Sequence, residues 1–419
     1  MTGDTAVTPD AARLDRAADR GARRAVGRWR SGWLWDGLRA TLPAWIAARV
    51  LVCAVSWHTD PAHPLAALPS WDTHWYLSIA EHGYDRGGGL IHFFPLTSLG
   101  AAGLAAVTRL PATIALFVFC WAMALLFGAL VHRVVVREIG DRGAARRAAW
   151  LSQLAPGGYA LVMGYTEPLA GVLAVGYFLM VRSAGRGSGP GSIPESTSGS
   201  NTDSSAGQRR ARRHAWLALG LGFFGGMARP VGLLLAIPGA IEGLRSARRE
   251  GWRWKGVAGA AAVAAAPAAG LATFLAYSRV RYSSWLLPYT QQTSKLGRGA
   301  IMGDPISILH HVWVHNWRGH GHGAAVMACV LILGFAALLP VVWRRLPVSY
   351  AAWTIPSFVL AIGSKDFTSL PRYLGALFPC LIAAALITLR RWQWTAMLAV
   401  SCGLLLWATY YVFSVYIVP

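Results

Sequence analysis

Between Trp71 and Asp85 the chain gathers Asp72, His74, Tyr76, Glu81, His82 and Tyr84, directly after its first membrane-length apolar run. An ionisable group at the mouth of a membrane span is costly to keep there, so it is a functional candidate by default. A carboxylate can take a proton from a hydroxyl, and imidazoles and phenols can hold one. Two later breaks in the apolar pattern carry single charges beside prolines: Glu167 in Tyr165-Thr166-Glu167-Pro168, and Arg229 in Met227-Ala228-Arg229-Pro230. A guanidinium in such a tip needs an anion, and a phosphate suits it because arginine grips phosphate through two parallel hydrogen bonds. Pairing with Glu167 as a structural salt bridge is the competing reading. Lys365 and Arg372 form a second cationic group, which is equally explained by snorkelling to lipid headgroups. For Asp72 the structural alternative is to cap a helix starting at Thr73.

The elements that must position these residues are helices in a membrane. Of 419 residues 55% are hydrophobic and only 14% charged, in long apolar runs separated by short Arg-rich breaks, which makes the chain an all-α polytopic membrane protein. Eleven spans are expected, at 41–57, 112–131, 148–164, 167–182, 215–227, 230–243, 256–279, 323–342, 347–363, 373–389 and 394–416. Several are short, and the pairs meeting at Glu167 and at Arg229 read as hairpins or broken helices with polar tips inside the protein. Residues 92–109 read as an interfacial or re-entrant segment. The five cysteines lie inside apolar runs with no paired spacing and read as small core residues.

The net charge of +21 is placed in the breaks, at a membrane surface, and so excludes nucleic acid as the partner. By the alternation of spans, 28 of the 39 Lys and Arg residues fall on one side, which the positive-inside rule makes cytoplasmic. The expected organisation is a cytoplasmic basic arm over 1–40, a transmembrane part over 41–182 with an outer loop at 58–111, a disordered cytoplasmic loop over 183–214, and a second transmembrane part over 215–419 with an outer loop at 280–322. Asp72, Glu81, Asp85, Glu167, Arg229, Lys365 and Arg372 all fall on the outer face, so any chemistry is extracytoplasmic. In the outer loop His311 and His315 share an i, i+4 spacing, but no standard zinc pattern is present and no metal site is assigned.

Taken in order, Trp71-Asp72 through Gly83-Tyr84, Phe93-Phe94-Pro95-Leu96, Gly164-Tyr165-Thr166-Glu167, Ala228-Arg229-Pro230-Val231-Gly232, Ser369-Leu370-Pro371-Arg372-Tyr373 and Phe378-Pro379 resemble the PIG-V-type mannosyltransferases. These belong to the GT-C superfamily of polytopic enzymes with lipid-phosphate sugar donors. The resemblance implies a GT-C-like fold and an inverting transfer of mannose from a polyprenyl-phosphate-mannose donor. The acceptor would be a hydroxyl of a glycolipid, a glycan or a protein. It implies Asp72 as the general base, because the superfamily places an acidic residue in its first outer loop. Arg229, Arg372 and Lys365 would hold the donor phosphate. Trp71, His74, Tyr76, Glu81, His82, Tyr84, Tyr165 and Glu167 would contact substrate. No cofactor is required, although Glu81, His82 and Asp85 are compatible with a divalent cation. The Ala/Gly/Arg/Trp-rich composition points to a bacterial plasma membrane. The alternatives are the same scaffold with another polyprenyl-phosphate sugar, or a transporter or lipid flippase. Against the transporter stand the absence of an internal repeat and the one-sided distribution of charge.

Overall fold

A computed structural model describes residues 32–85, 88–186, 202–293, 322–363, 369–388 and 390–414, with Ser307, His310 and Val314. The described chain is all-helical. Six helices are long and apolar enough to cross a membrane: α1 (Trp33–Thr59), α4 (Ala112–Glu138), α6 (Glu167–Arg186), α9 (Trp254–Tyr282), α11 (His322–Arg345) and α15 (Arg391–Phe413). These coincide with six of the eleven expected spans, and the chain is an integral membrane protein.

The other expected spans differ instructively. Residues 148–164 form the end of α5 (Arg142–Leu154), a 3-10 turn at Gly158–Leu161 and irregular backbone. The 230–243 stretch is a 3-10 segment, Pro230–Leu235, running into α8 (Ala236–Arg249), and 373–389 divides between α13 (Leu370–Gly375) and α14 (Phe378–Ile387). Residues 215–227 end α7 (Thr202–Ala228), whose first half is too polar to cross, and 347–363 make the 15-residue α12 (Val348–Ile362). Prolines set these breaks: Pro230, Pro371 and Pro379 each lie in the first two positions of a helix, where a missing N–H costs nothing.

Two expected boundaries fall inside helices. The first helix starts at Trp33, so residues 33–40, expected in the basic arm, are helical and continuous with the first span. Residues 183–186 and 202–214, expected in a disordered loop, are the helical ends of α6 and α7, because Ala and Arg there are good helix formers and the span supplies the nucleus. The stretch before residue 32 and residues 187–201 lie outside the described residues.

In the first long loop, α2 (Asp72–His82) is followed by α3 (Leu96–Thr108), a 13-residue apolar helix. At 1.5 Å per residue α3 is about 20 Å long, short of the roughly 30 Å hydrocarbon core. Satellite aromatic clusters fix this loop: Tyr76 packs edge-on to Phe93, and Phe94 against Phe274 of α9. The Tyr84 hydroxyl donates to the Phe93 carbonyl, and Tyr282 at the end of α9, just before the short α10 (Leu287–Thr293), donates to the Asp85 carbonyl at 2.7 Å.

The main core surrounds the irregular stretch 155–166, with Tyr159, Tyr165, Tyr177, Phe178, Tyr350 and Phe378 fully buried. This stretch and the 369–377 break pack backbone against backbone at Gly157. A Cβ built there would fall 2.2 Å from the Pro371 carbonyl oxygen and 2.6 Å from the Arg372 Cα. Neither contact can be relieved by a side-chain rotation. Gly157→Ala is therefore expected to destabilise by about 1–3 kcal/mol, read as a lower thermal midpoint in detergent. Gly220→Ala, where a Cβ meets nothing, serves as the neutral control. An unchanged midpoint for Gly157→Ala would mean that the two backbones do not approach so closely.

Candidate active site

Four segments far apart in sequence bring their charged residues together at the end of the bundle where α1 finishes. Arg372 Nη1 donates to Asp72 Oδ2 at 2.6 Å, its Nε stands 3.6 Å from Glu167 Oε1, and Arg229 Nη1 donates to the same Glu167 oxygen at 2.9 Å. The order Asp72, Arg372, Glu167, Arg229 alternates in sign and sums to zero. Arg372 is 5% exposed and Glu167 4%. Charges buried this deeply persist only when paired.

Local sequence explains each placement. Asp72 and Glu167 are the first residues of α2 and α6, where the helix dipole favours a carboxylate. Arg229 is held extended, at φ −159° and ψ 152°, because Pro230 follows it and bars the helical region. Arg372 lies in the short helix opened by Pro371. Trp71, immediately before Asp72, has φ 57° and ψ −131°, a conformation unfavourable for a side chain bearing a Cβ. Its indole N–H donates to the Val412 carbonyl of α15 at 3.1 Å, so the strained turn is tied down on the last helix.

Aromatic rings line the cluster. Tyr373 faces both guanidinia, 5.3 Å from Arg229 Cζ and 5.2 Å from Arg372 Cζ, and Tyr165 lies 5.2 Å from Arg372 Cζ. Burial raises the Tyr165 and Tyr76 phenols above the usual tyrosine range, and the Asp72 and Glu167 charges raise them further. Both stay protonated as hydrogen-bond donors. Burial works against the charge on Arg372, but Asp72, Tyr373 and Glu167 more than offset it and hold the guanidinium cationic. Glu167 Oε2, Arg372 Nε, Tyr165 Oη, Thr166 Oγ1 and Thr73 Oγ1 are buried with no hydrogen-bond partner among the described residues. A concentration of unmet polar atoms around paired charges is the mark of a site for a polar ligand. A cavity of about 10 Å³ lies against Glu167, Arg372, Ser152, Gly157 and Gly158. It admits about one water.

Of the residues singled out in the sequence, Asp72, Tyr76, Tyr165, Glu167, Arg229 and Arg372 converge. Arg372 is not a snorkelling surface residue, since it is buried between two carboxylates. Asp72 is the first residue of its helix and Trp71 takes the cap position, so the alternative reading of Asp72 as the cap does not hold, and its carboxylate is ion-paired to Arg372. The Arg229–Glu167 salt bridge is formed. His74, Glu81 and His82 are exposed on α2 and do not join the cluster, while Tyr84 is bonded to Phe93 beyond the far end of that helix. Asp85 instead receives the Gly89 and Leu90 N–H groups in a turn. Lys365, His311, His315 and His320 lie outside the described residues. Among the described residues no three His, Cys, Asp or Glu side chains gather as metal ligands. Sequence reasoning assigned no role to Tyr373, although its adjacency to Arg372 was available.

No protein-family model matches the chain, and no curated protein sequence matches it. Solved structures similar to the chain at low identity include two membrane-lipid complexes. One is ArnT from Cupriavidus metallidurans bound to undecaprenyl phosphate, with 15% identity and a TM-score of 0.48, covering 84% of this chain and 62% of that one. The other is the archaeal oligosaccharyltransferase AglB from Archaeoglobus fulgidus in complex with an inhibitory peptide and a dolichol-phosphate, with 11% identity and a TM-score of 0.43, covering 89% and 55%. The chain spans less than two thirds of the length of either.

Removing the cation between Asp72 and Glu167 should be felt strongly. Arg372→Met is expected to cost about 3–5 kcal/mol, measured as the loss in thermal midpoint, whereas Glu81→Gln on the exposed face stays near wild type. Equal midpoints for wild type and Arg372→Met would mean that the buried pairs do not form.

Proposed function

We propose that the chain is an inverting glycosyltransferase, of the PIG-V type within the GT-C superfamily. It moves mannose from a polyprenyl-phosphate-mannose donor to a hydroxyl of a glycolipid, glycan or protein on the extracytoplasmic side. The observation that carries this reading is the buried alternation of two carboxylates and two guanidinia. Transfer needs both signs side by side: a base for the acceptor proton and cations for the departing phosphate.

Asp72 takes the hydroxyl proton as the acceptor oxygen bonds to the anomeric carbon and the carbon–oxygen bond to phosphate breaks, leaving polyprenyl phosphate. Displacement from the opposite face turns a β-linked donor into an α-linked product. During the step Asp72 loses one negative charge and the phosphate gains one, so the charge of the site as a whole is conserved. What Arg372 and Arg229 contribute grows as the phosphate charge grows, which is stabilisation of the transition state over the bound donor. Tyr165 and Tyr76 are protonated donors for the sugar or the phosphate, and Tyr373 holds the two guanidinia side by side. Two arginines supply the charge a divalent cation would otherwise bring, so transfer is expected to persist in a chelator. The transporter reading has no observation of its own in its favour.

The test is transfer of label from a panel of polyprenyl-phosphate sugars to endogenous acceptors in membranes overexpressing the protein. Wild type should label product from the mannose donor. Asp72→Asn keeps the shape while removing the base, and should lower turnover by about 10²–10⁴-fold with the protein still folded. Arg229→Lys loses the forked geometry and should raise the donor KM more than it lowers kcat. Near-wild-type transfer by Asp72→Asn would overturn the base assignment. Silence with every sugar, together with flux of lipid-linked sugar across vesicles, would turn the reading to the transporter.

A further inference from the structure

Arg49 lies inside the first spanning helix, ten residues before its end at Thr59 and so about 15 Å along the helix from the site end. It is 7% exposed, and among the described residues no carboxylate stands within ion-pair distance of it. Two things hold the guanidinium instead. Nη1 donates to the Trp45 carbonyl at 2.8 Å and Nη2 to the Leu161 carbonyl at 3.2 Å, while Cζ lies 3.8 Å from the Trp45 ring centre and 5.2 Å from that of Trp121. Leu161 belongs to the irregular stretch 155–166 that leads into Tyr165 and Glu167. Neighbouring carbonyls of that stretch are met in the same way: Trp121 Nε1 donates to Val162 at 2.7 Å, and Cys120 Sγ approaches the Tyr165 carbonyl at 3.4 Å. Trp45 Nε1 closes the group by donating to the Trp121 carbonyl at 2.9 Å.

Non-helical backbone at membrane depth survives only if its polar groups are satisfied by protein. Here three carbonyls of one loop are met by side chains of α1 and α4. The residue types suit this role, because indole N–H donors are directional and a planar guanidinium stacks on indole while keeping N–H groups free at its edge. A lysine at 49 could reach one carbonyl and would stack less well. At its other end the same loop is closed tightly, since a Cβ at Gly164 would fall 2.8 Å from Thr73 Cγ2 and 2.9 Å from Leu116 Cδ2. The loop is thus packed closely at Gly164, between the clamp and Glu167.

We propose that Arg49, with Trp45 and Trp121, is a positioning device that sets the height and orientation of Tyr165 and Glu167, and through Glu167 the separation of Arg229 and Arg372. Arg49 touches no reacting atom. The proposal rests on the transferase reading for its kinetic consequence and on the loop geometry alone for its structural one, and the test addresses the two separately.

In folded, monodisperse protein, Arg49→Met keeps most of the volume and removes the donors to Trp45 and Leu161. It is expected to lower kcat roughly 10- to 100-fold, with a smaller change in KM for the donor. In a double-mutant cycle, Arg49→Met combined with Glu167→Gln should fall clearly less far than the product of the two single losses, because Arg49 acts through Glu167. Losses that multiply independently would overturn the proposal and leave Arg49 as a stabiliser of its own span. The second arm uses Cys120, whose buried thiol reports on the loop, in a background with the other four cysteines replaced by alanine. Arg49→Met should open Cys120 to a small maleimide at least several-fold faster than the Arg49 control. Unchanged labelling would sink the clamp whatever the kinetics. Opened labelling in a protein that transfers no sugar from any donor would uphold the clamp while the transferase reading failed.

Discussion

Glu167 accepts a hydrogen bond from Arg229 and stands 3.6 Å from Arg372, which in turn holds Asp72, and this buried chain of charges constrains everything around it. A carboxylate or guanidinium so far from water must be paired, and pairing four of them requires four chain segments to deliver side chains to one place. Continuous helices cannot all do so at the same depth. The broken elements follow: α6 starts at Glu167, α7 ends beside Arg229, and Arg372 occupies a short helix between α12 and α14. The irregular backbone created by those breaks raises a second demand, which Arg49, Trp121 and Gly157 meet with donors and with close packing.

The helix that bears Glu167 is pinned at its other end as well. Arg182, about 22 Å further along α6 at 1.5 Å per residue, forks onto Glu138 of α4 at 2.9 and 2.7 Å and reaches Glu242 of α8 at 2.8 Å. Ser349 of α12 and Arg245 complete the shell of Glu242. Bidentate arginine–carboxylate geometry is the kind that fixes orientation as well as charge. The helix is therefore held by ion pairs at both ends and by Tyr177, Phe178 and their aromatic neighbours between them. A rod secured at both ends suits a site whose carboxylate must hold its distances to two cations to within about half an ångström.

Much of this was legible in the sequence, for physical reasons that differ by residue. Apolar runs of about 18 or more with few charges can only be spans, so the long helices were readable from composition. Prolines after Glu167 and Arg229 announced the breaks, because X-Pro is a strong local signal. The Glu167–Arg229 pair was foreseeable from two charged tips on adjacent hairpins. For Arg372 phosphate contact and snorkelling to headgroups were both open, because its burial depends on Asp72, 300 positions away, and no local pattern carries that distance. The sequence did not separate Glu81 and His82 from the cluster: on an 11-residue helix whose Thr73, Tyr76 and Ile79 are buried, these two are exposed. Gly157 was invisible, since a glycine needed for a close backbone approach looks like any other. The polar ends of α6 and α7 read as disorder because serine, glycine and arginine dominate there, although a helix already nucleated in the membrane can extend through such residues.

The neutrality of the cluster bears on the proposed chemistry. Each arginine is held by a carboxylate, so both cations are kept in position without a ligand and at no net charge. A phosphate entering this arrangement competes with Asp72 and Glu167 for the same N–H groups, which limits how tightly the donor is held in the ground state. In the proposed transfer the phosphate gains charge as the glycosidic bond breaks, and Asp72 is neutralised by the acceptor proton. Arg372 is then drawn from a carboxylate that has lost its charge towards a phosphate that has gained one. On that proposal the shared guanidinium couples proton removal to departure of the leaving group, and its stabilisation of the complex is greatest where both events are under way. A cluster carrying excess positive charge would bind the lipid phosphate product strongly and release it slowly; the alternation of sign avoids this while keeping the two arginines in place.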